Sequence, residues 1–319
     1  MGTRLPDAQD LGYGITCIDT EQLRPGIACC YLLRQGDQAA LIECGTTLGV
    51  PGLLAVIEAQ GLKREQIRYV IPTHVHLDHA GGAGTLMQAL PNAQLVVHPR
   101  GARHLIDPSK LIAGATAVYG AEAVQRMYGA IVPIAAEGVI EAGDGHRLHL
   151  NDRELLIIDT PGHARHHFSV WDAASRGFFT GDTFGLSYRV FDGPQGATLM
   201  PTTTPVQFEP EAWAATLDRY LSFAPERMFL THYGCVEQVP ELAADLRQGL
   251  LDYQRLAAGI AETGDARHET LKAALLDYSL ALLHRRQSPV SDELARDWLA
   301  MDMDLNAQGL EVWLDRPAA

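Results

Sequence analysis

The sequence predicts an α/β fold with a helical extension at its C-terminal end, on three observations. Short apolar runs alternate with helical patterns from Ile27 to Leu230, residue types that bind metals recur at the ends of those runs, and from about Pro240 onward Leu, Ala, Glu and Arg repeat at helical spacing. No apolar stretch reaches the length of a membrane span. The opening Met1-Gly2-Thr3-Arg4-Leu5-Pro6-Asp7 lacks the apolar core of a signal peptide, so a cytoplasmic protein is expected.

Ile27 to Leu33 and Gln38 to Ile42 read as strands joined at Arg34-Gln35-Gly36-Asp37, a hairpin signal. Pro51 to Gln60 places Leu53, Leu54, Val56 and Ile57 on one helical face and stops at Gly61. Arg68-Tyr69-Val70-Ile71 is an apolar run, Gly84 to Leu90 reads as helix, and Gln94 to Val97 as strand. The stretch 100–135 interrupts the alternation with helical pieces, Pro108 and several glycines, and is expected to be a lid or a pocket-lining insertion. Strands resume at Val139-Ile140, Arg147 to Leu150, Glu154 to Ile158, His167 to Trp171, Gly177 to Thr180 and Met228 to Leu230. In the tail, Leu242, Leu246, Leu250, Tyr253, Ala257 and Ile260 form one stripe and Leu271, Leu275, Tyr278 and Leu282 another, while Ser291-Asp292-Glu293 opens a further helix. The expected organisation is a catalytic domain over residues 1–238 and a helical extension over 239–319 packed on it.

With 319 residues, 47% of them hydrophobic, the chain can bury a large core. A formal net charge of -14 with no Lys/Arg-rich run argues against nucleic acid or an anionic membrane as partner. The five cysteines are odd in number and lack a C-x-x-C pair, which favours free thiols in a reducing compartment. Cys29 and Cys30 are expected in the core, and Cys235, three residues after His232, is expected to be buried rather than reactive.

Thr73-His74-Val75-His76-Leu77-Asp78-His79-Ala80-Gly81-Gly82 packs three imidazoles and a carboxylate into six residues. Neutral imidazole and carboxylate are the ligand set for zinc or non-haem iron. His74 and His76, two apart on extended backbone, leave the same face and can grip one metal. Asp78 and His79 follow after the chain has turned and point to a second position nearby. His163 in Thr160-Pro161-Gly162-His163, Asp182 in Phe178-Phe179-Thr180-Gly181-Asp182, and His232 in Met228-Phe229-Leu230-Thr231-His232 each follow an apolar run. Ligand-type residues repeatedly placed at strand ends mark one edge of the sheets as a functional rim.

With those residues placed, the first three quarters of the chain resemble the metallo-β-lactamase-fold hydrolase superfamily, through the ordered set H-x-H-x-D-H, P-G-H, G-D and T-H. The resemblance implies an αββα four-layer sandwich, two mixed sheets covered by helices, with metals at one edge. It implies that His74, His76 and His163 bind a first metal, that Asp78, His79 and His232 bind a second, and that Asp182 bridges them. A bridging carboxylate, with Asp78 beside His79, is similar to the binuclear branch that includes glyoxalase II, lactonases, thioesterases and RNase Z. The β-lactamases commonly place a cysteine where Asp182 stands, which demotes β-lactam hydrolysis. Thr183 to Arg189 differs from the glycine- and cysteine-containing stretch of glyoxalase II, and the lack of a basic exosite argues against tRNA processing.

The expected function is therefore metal-dependent hydrolysis of a small-molecule ester, thioester or lactone, in which two divalent cations bring the pKa of a shared water towards neutrality and its hydroxide attacks the carbonyl. Zinc comes first for this donor set, with iron or manganese also suited to it. Asp78 is expected to be a ligand that also passes a proton. The alternatives are an iron-dependent redox enzyme of the same fold, similar to persulfide dioxygenases, and a metabolite-binding regulatory protein with a residual metal site. A homodimer is left open. Thr73, Thr160 and Thr231 are candidates for fixing imidazole tautomers. Tyr188, Arg189, Arg285 and Arg286 are candidates for substrate recognition and equally for surface or packing roles. His98, His104, His166 and His167 are expected to be supporting residues, with His166 nearest the site, and Trp213, Trp298 and Trp313 are expected in the core.

Overall fold

The computed structural model describes residues 5–203 and 206–316. Among the described residues, thirteen strands form two mixed sheets. The first sheet takes its strands in chain order: β1 (Ala8–Asp10), β2 (Ile15–Asp19), β3 (Cys29–Gln35), β4 (Gln38–Ile42), β5 (Ile67–Ile71), β6 (Gln94–Val97) and β7 (Val139–Glu141). The first four are antiparallel neighbours, and β4 to β7 run parallel. The second sheet contains β8 (Arg147–Leu150), β9 (Arg153–Asp159), β10 (Phe168–Asp172), β11 (Gly177–Gly181), β12 (Arg227–Leu230) and β13 (Gly234–Val236), antiparallel except for the pair β11 and β12.

Parallel strands need crossover connections, and helices supply them. α1 (Val50–Ala59) links β4 to β5. The short α2 (Leu77–Ala80) and α3 (Ala83–Ala89) link β5 to β6. α4 (Pro99–Ile106), α5 (Ser109–Tyr119) and α6 (Ala121–Tyr128) fill the 100–135 interruption. α7 (Pro210–Ser222) precedes β12, and the tail is three long helices, α8 (Val239–Ala258), α9 (Gly264–Arg285) and α10 (Asp292–Leu314).

The apolar residues sort into layers. Tyr31, Ile42, Val96, Phe168, Val170, Phe179 and Phe229 are buried between the sheets. Leu53, Val56 and Ile57 of α1, Leu86 of α3 and Leu105 of α4 cover the other face of the first sheet. Trp213 and Leu217 of α7 and Leu242, Leu246 and Leu250 of α8 cover the second sheet in one cluster with Phe178, Met228 and Leu230. Leu275 of α9 and Leu299 and Met303 of α10 belong to that same cluster, so the tail extends the core of the second sheet. This is the αββα sandwich with a C-terminal helical region. Strands such as β3, apolar at consecutive positions, read as unbroken runs because they are covered on both faces. No helix among the described residues is long and apolar enough to cross a membrane.

Several elements differ from the sequence reading. Ile27 and Ala28, read as the start of a strand, lie outside it: β3 begins at Cys29, whose amide donates to the Thr231 carbonyl at 2.9 Å and ties the two sheets together beside the rim. Trp213 is buried in the core as expected, but Trp298 faces a cavity described below. All five cysteines are free thiols; Cys29 and Cys30 are fully buried, and Cys235 is half-buried.

Candidate metal centre

The seven side chains singled out in the sequence converge at one edge of the sandwich. β5 ends at Ile71 and delivers His74 and His76, and α2 turns Asp78 and His79 inward within one helical turn. β9, β11 and β12 end just before His163, Asp182 and His232. The register of β11 against β12 shifts between Phe179 and Gly181, a bulge that re-aims the chain as it reaches Asp182.

Two groups form. His76 Nδ1 lies 2.8 Å from His74 Nε2 and 3.1 Å from His163 Nε2. Asp78 Oδ2 lies 3.4 Å from His79 Nε2 and 3.3 Å from His232 Nε2. Asp182 stands between the groups, with Oδ2 3.3 Å from His163 Nε2 and Oδ1 3.2 Å from His79 Nε2 and 3.7 Å from His232 Nε2. Within the cluster, ligand atoms of His74, His76 and His163, of Asp78, His79 and His232, and of His74, His79 and Asp182 lie close enough to share a cation.

The hydrogen bonds behind the imidazoles select the tautomers. His163 Nδ1 donates to the Thr202 carbonyl at 2.8 Å and His232 Nδ1 to the Ile27 carbonyl at 2.8 Å, so each Nε2 faces the site as a lone pair. The Thr73 hydroxyl donates to Glu43 at 2.6 Å, and so accepts from His74 Nδ1 at 3.1 Å. Thr231 also donates to Glu43, at 2.9 Å, and His79 Nδ1 lies 3.1 Å from the same carboxylate oxygen. Thr160 serves His167, at 2.9 Å, and His167 Nε2 accepts the Asp182 amide at 3.3 Å.

Burial and the neighbouring imidazoles hold His74 and His76 well below the ordinary histidine range. Burial opposes charging His79 as well, but Asp182, Asp78 and Glu43 outweigh it and push its pKa well up. Burial would raise Asp182, yet His79, His163 and His232 hold it far below the usual carboxylate range. His79 Nε2 and Asp182 Oδ1 are buried atoms that make no hydrogen bond. A coordinated cation satisfies both, and imidazole nitrogen with carboxylate oxygen is the donor chemistry divalent transition metals accept. The residues fit the group.

The cluster forms the floor of a cavity of about 730 Å³, with His76, Asp78, Asp182 and His232 exposed to it. One wall is the 100–135 insertion, through Leu111, Ala115 and Val118 of α5 and Tyr128 of α6. The opposite wall is α10, through Trp298, Met301, Asp302 and Leu305. Both segments outside the alternating pattern thus build the pocket. Tyr188 and His166 also line it, whereas Arg189, Arg285 and Arg286 do not. Arg189 bonds to the Ser187 carbonyl at 2.7 Å, Arg285 is exposed, and Arg286 is held by Asp245. The candidate role of these arginines in recognition is therefore withdrawn. His98 instead caps α4, accepting the Arg100 amide at 3.0 Å. Glu43, Asp302 and Asn306 are site residues the sequence reading did not name.

The fold and this edge cluster define a class, and the comparisons agree with it. Residues 23–232 match the family model of the Metallo-beta-lactamase superfamily, and the chain belongs to that superfamily. It is 27% identical over 216 residues to the metallo-beta-lactamase fold-containing protein ST1585 of Sulfurisphaera tokodaii, covering 66% of this chain and 75% of that one. The crystal structure of ST1585 aligns with a TM-score of 0.65 at 22% identity, over 93% of this chain and 98% of that one, which shows a shared fold. The chain is also 26% identical over 200 residues to the acyl-coenzyme A thioesterase MBLAC2 of Bos taurus, covering 58% of this chain and 66% of that one. It is 26% identical over 168 residues to the hydroxyacylglutathione hydrolase of Rhodospirillum rubrum, covering 52% of each. These two matches span between half and two thirds of the relatives' lengths.

Proposed function

We propose that this protein is a binuclear metal-dependent hydrolase of a small-molecule ester, thioester or lactone. The observation that carries the reading is Asp182, whose two carboxylate oxygens reach the two groups separately, Oδ2 toward His163 at 3.3 Å and Oδ1 toward His79 at 3.2 Å. His74, His76 and His163 would hold one divalent cation, Asp78, His79 and His232 a second, with Asp182 shared; zinc suits the donors first, then iron or manganese. Such cations supply Lewis acidity toward a carbonyl oxygen and acidify a coordinated water.

The chain's own residues do the rest. The backbone carbonyls of Thr202 and Ile27 keep the Nε2 atoms of His163 and His232 aimed inward. Asp78 reaches the cavity and is the carboxylate placed to take a proton from the attacking water and return it to the leaving group. α5, α6 and α10 screen the carbonyl from bulk water. Two relatives, one named an acyl-coenzyme A thioesterase and one a hydroxyacylglutathione hydrolase, support carbonyl hydrolysis as the reaction class.

The test is metal analysis with a thioester and lactone panel on wild type and Asp182→Ala. The expected outcome is two metals per wild-type chain, and loss of both metal and turnover in the variant. Unchanged metal content in Asp182→Ala would remove the bridging assignment.

A further inference from the structure

Around Asp302 the walls of the cavity above the metal centre are largely apolar, and the other charged side chains on them, apart from the metal-centre residues, are Arg24, Lys110 and Asp297. Leu111 and Val118 on one side and Met301 and Leu305 on the other present hydrocarbon, while Asp302 of α10 presents a half-buried carboxylate. Tyr188 Oη donates to that carboxylate at 3.0 and 3.2 Å, one hydroxyl hydrogen shared by two oxygens that together accept several. Burial, with Asp182 and Asp78 adding to it against the opposing pull of His232 and Tyr188, pushes Asp302 up to about 6, which leaves it ionised at pH 7.

Among the described residues no arginine, lysine or histidine of the walls forms an ion pair with Asp302. Arg24 is bound to Asp297 at 2.6 Å, with its guanidinium 5.2 Å from the centre of the Trp298 ring. His104 is held below its ordinary pKa by burial, Arg103 and Lys110, and His166 is held at about 3 by burial and neighbouring histidines, so both rings are neutral. Lys110 is exposed.

We propose, on the basis of the hydrolase reading, that the substrate is an apolar acyl compound without negative charge on its chain, carrying a hydrogen-bond donor, a hydroxyl, amide N–H or ammonium, that Asp302 accepts. A chain ending in a carboxylate meets Asp302 as a like charge in a poorly hydrated wall and is rejected. A donor group meets an acceptor with lone pairs to spare, and a charge-assisted hydrogen bond results. Asp302 is thus the specificity-determining residue of the cavity.

The test uses the zinc-loaded full chain and hydroxamic acids, whose head chelates metal and fixes the ligand's orientation. Chains from butanoyl to decanoyl end in methyl, hydroxyl or carboxylate, and affinity is read by calorimetry and by tryptophan fluorescence. At one chain length the hydroxyl-ended ligand is expected to bind about tenfold tighter than the methyl-ended one, and the carboxylate-ended ligand at least tenfold weaker. In Asp302→Asn, isosteric and uncharged, the ratio of carboxylate-ended to hydroxyl-ended affinity rises at least tenfold. A wild-type preference for the carboxylate end at every length, or an unchanged ratio in Asp302→Asn, overturns the proposal. The wild-type ranking decides alone should the variant not fold. Metal analysis of the same samples separates the two readings: a chain that takes up no zinc sinks the hydrolase reading, whereas a zinc-loaded chain that binds no hydroxamate sinks this one.

Discussion

Asn306 on α10 accepts the Thr203 backbone amide at 2.6 Å, and its Nδ2 donates to the Pro201 carbonyl at 3.2 Å, so the C-terminal helix grips the chain on both sides of Thr202. The Thr202 carbonyl is the one that takes Nδ1–H of His163. A residue in the tail is therefore linked to an imidazole of the metal centre through the backbone of residues 201–203, by hydrogen bonds at either end. Asn306→Ala leaves buried backbone groups unpaired and is expected to cost about 2–3 kcal/mol of stability. It should also weaken metal at the His74, His76 and His163 group, and denaturant unfolding with chelator competition reads both. Asn306→Asp keeps the acceptor for Thr203, loses the donor to Pro201, and should fall between. Stability lost with metal affinity unchanged would show that the link does not reach His163.

Glu43 serves the other side of the centre. Its carboxylate is buried and accepts from the Thr73 amide at 3.2 Å, the Thr73 hydroxyl and the Thr231 hydroxyl, while His79 Nδ1 lies beside it. Thr73 follows β5 and Thr231 follows β12, so one side chain sets the spacing of both sheets at the rim. Glu43→Gln preserves size but replaces an acceptor oxygen with a donor, and metal affinity is expected to fall about 10–100-fold. Wild-type affinity by chelator competition would deny Glu43 an orienting role.

The local part of this site was readable because its logic is local. His74 to His79 declare themselves by density, and His163, Asp182 and His232 by standing at the ends of apolar runs that are indeed β9, β11 and β12. That the runs share one rim is a property of strand order, which no periodicity encodes; the family resemblance supplied it. Glu43 was missed because a single carboxylate after a strand has no pattern around it, and Asp302 and Asn306 because they sit deep in a helix that the sequence marks only by its opening Ser291-Asp292-Glu293. β1, β2 and β13 span three to five residues, too short for an alternation to register. The arginine pair at the end of α9 was misplaced because charge does not say which face of a helix it lies on.

The tail carries a pH-sensitive contact of its own. His268 on α9 sits between Glu311, 3.0 Å from Nδ1, and Asp304, 3.2 Å from Nε2, both on α10. Burial is the largest single influence and opposes its charge, but the hydrogen bonds to both carboxylates, together with their charges, outweigh it and raise its pKa. A raised folded-state pKa means that the stabilisation is complete below the unfolded-state value near 6.5 and is lost as pH rises through the higher folded-state value. The site is largely solvent-screened, so the contribution is about 0.5 kcal/mol. His268 should titrate above its free value by NMR, and His268→Gln should flatten the fall in thermal midpoint on going from mildly acidic to mildly alkaline pH. A titration at or below the free value would contradict the assignment.

The glycines of the P-G-H and G-D motifs are required by space as well as by backbone angle. Gly162 has φ +133°, and a Cβ there would stand 2.5 Å from the Trp213 Cα on α7. Gly181 has φ +51°, and a Cβ there would stand 2.5 Å from His167 Nε2, the atom that receives the Asp182 amide. Both conformations disfavour any side chain, and neither neighbour can yield without moving the residue that follows the glycine. Gly162→Ala is expected to cost about 3 kcal/mol and to displace His163, because α7 is anchored in the core by Trp213 and Leu217. Gly181→Ala should perturb Asp182 more than global stability, since its clash is with rim side chains rather than a helix backbone. The expected signature is a variant with a modest drop in melting temperature and a disproportionate loss of bound metal. If Gly181→Ala lost stability and metal in the same proportion as Gly162→Ala, the rim would be yielding with the whole fold rather than at Asp182.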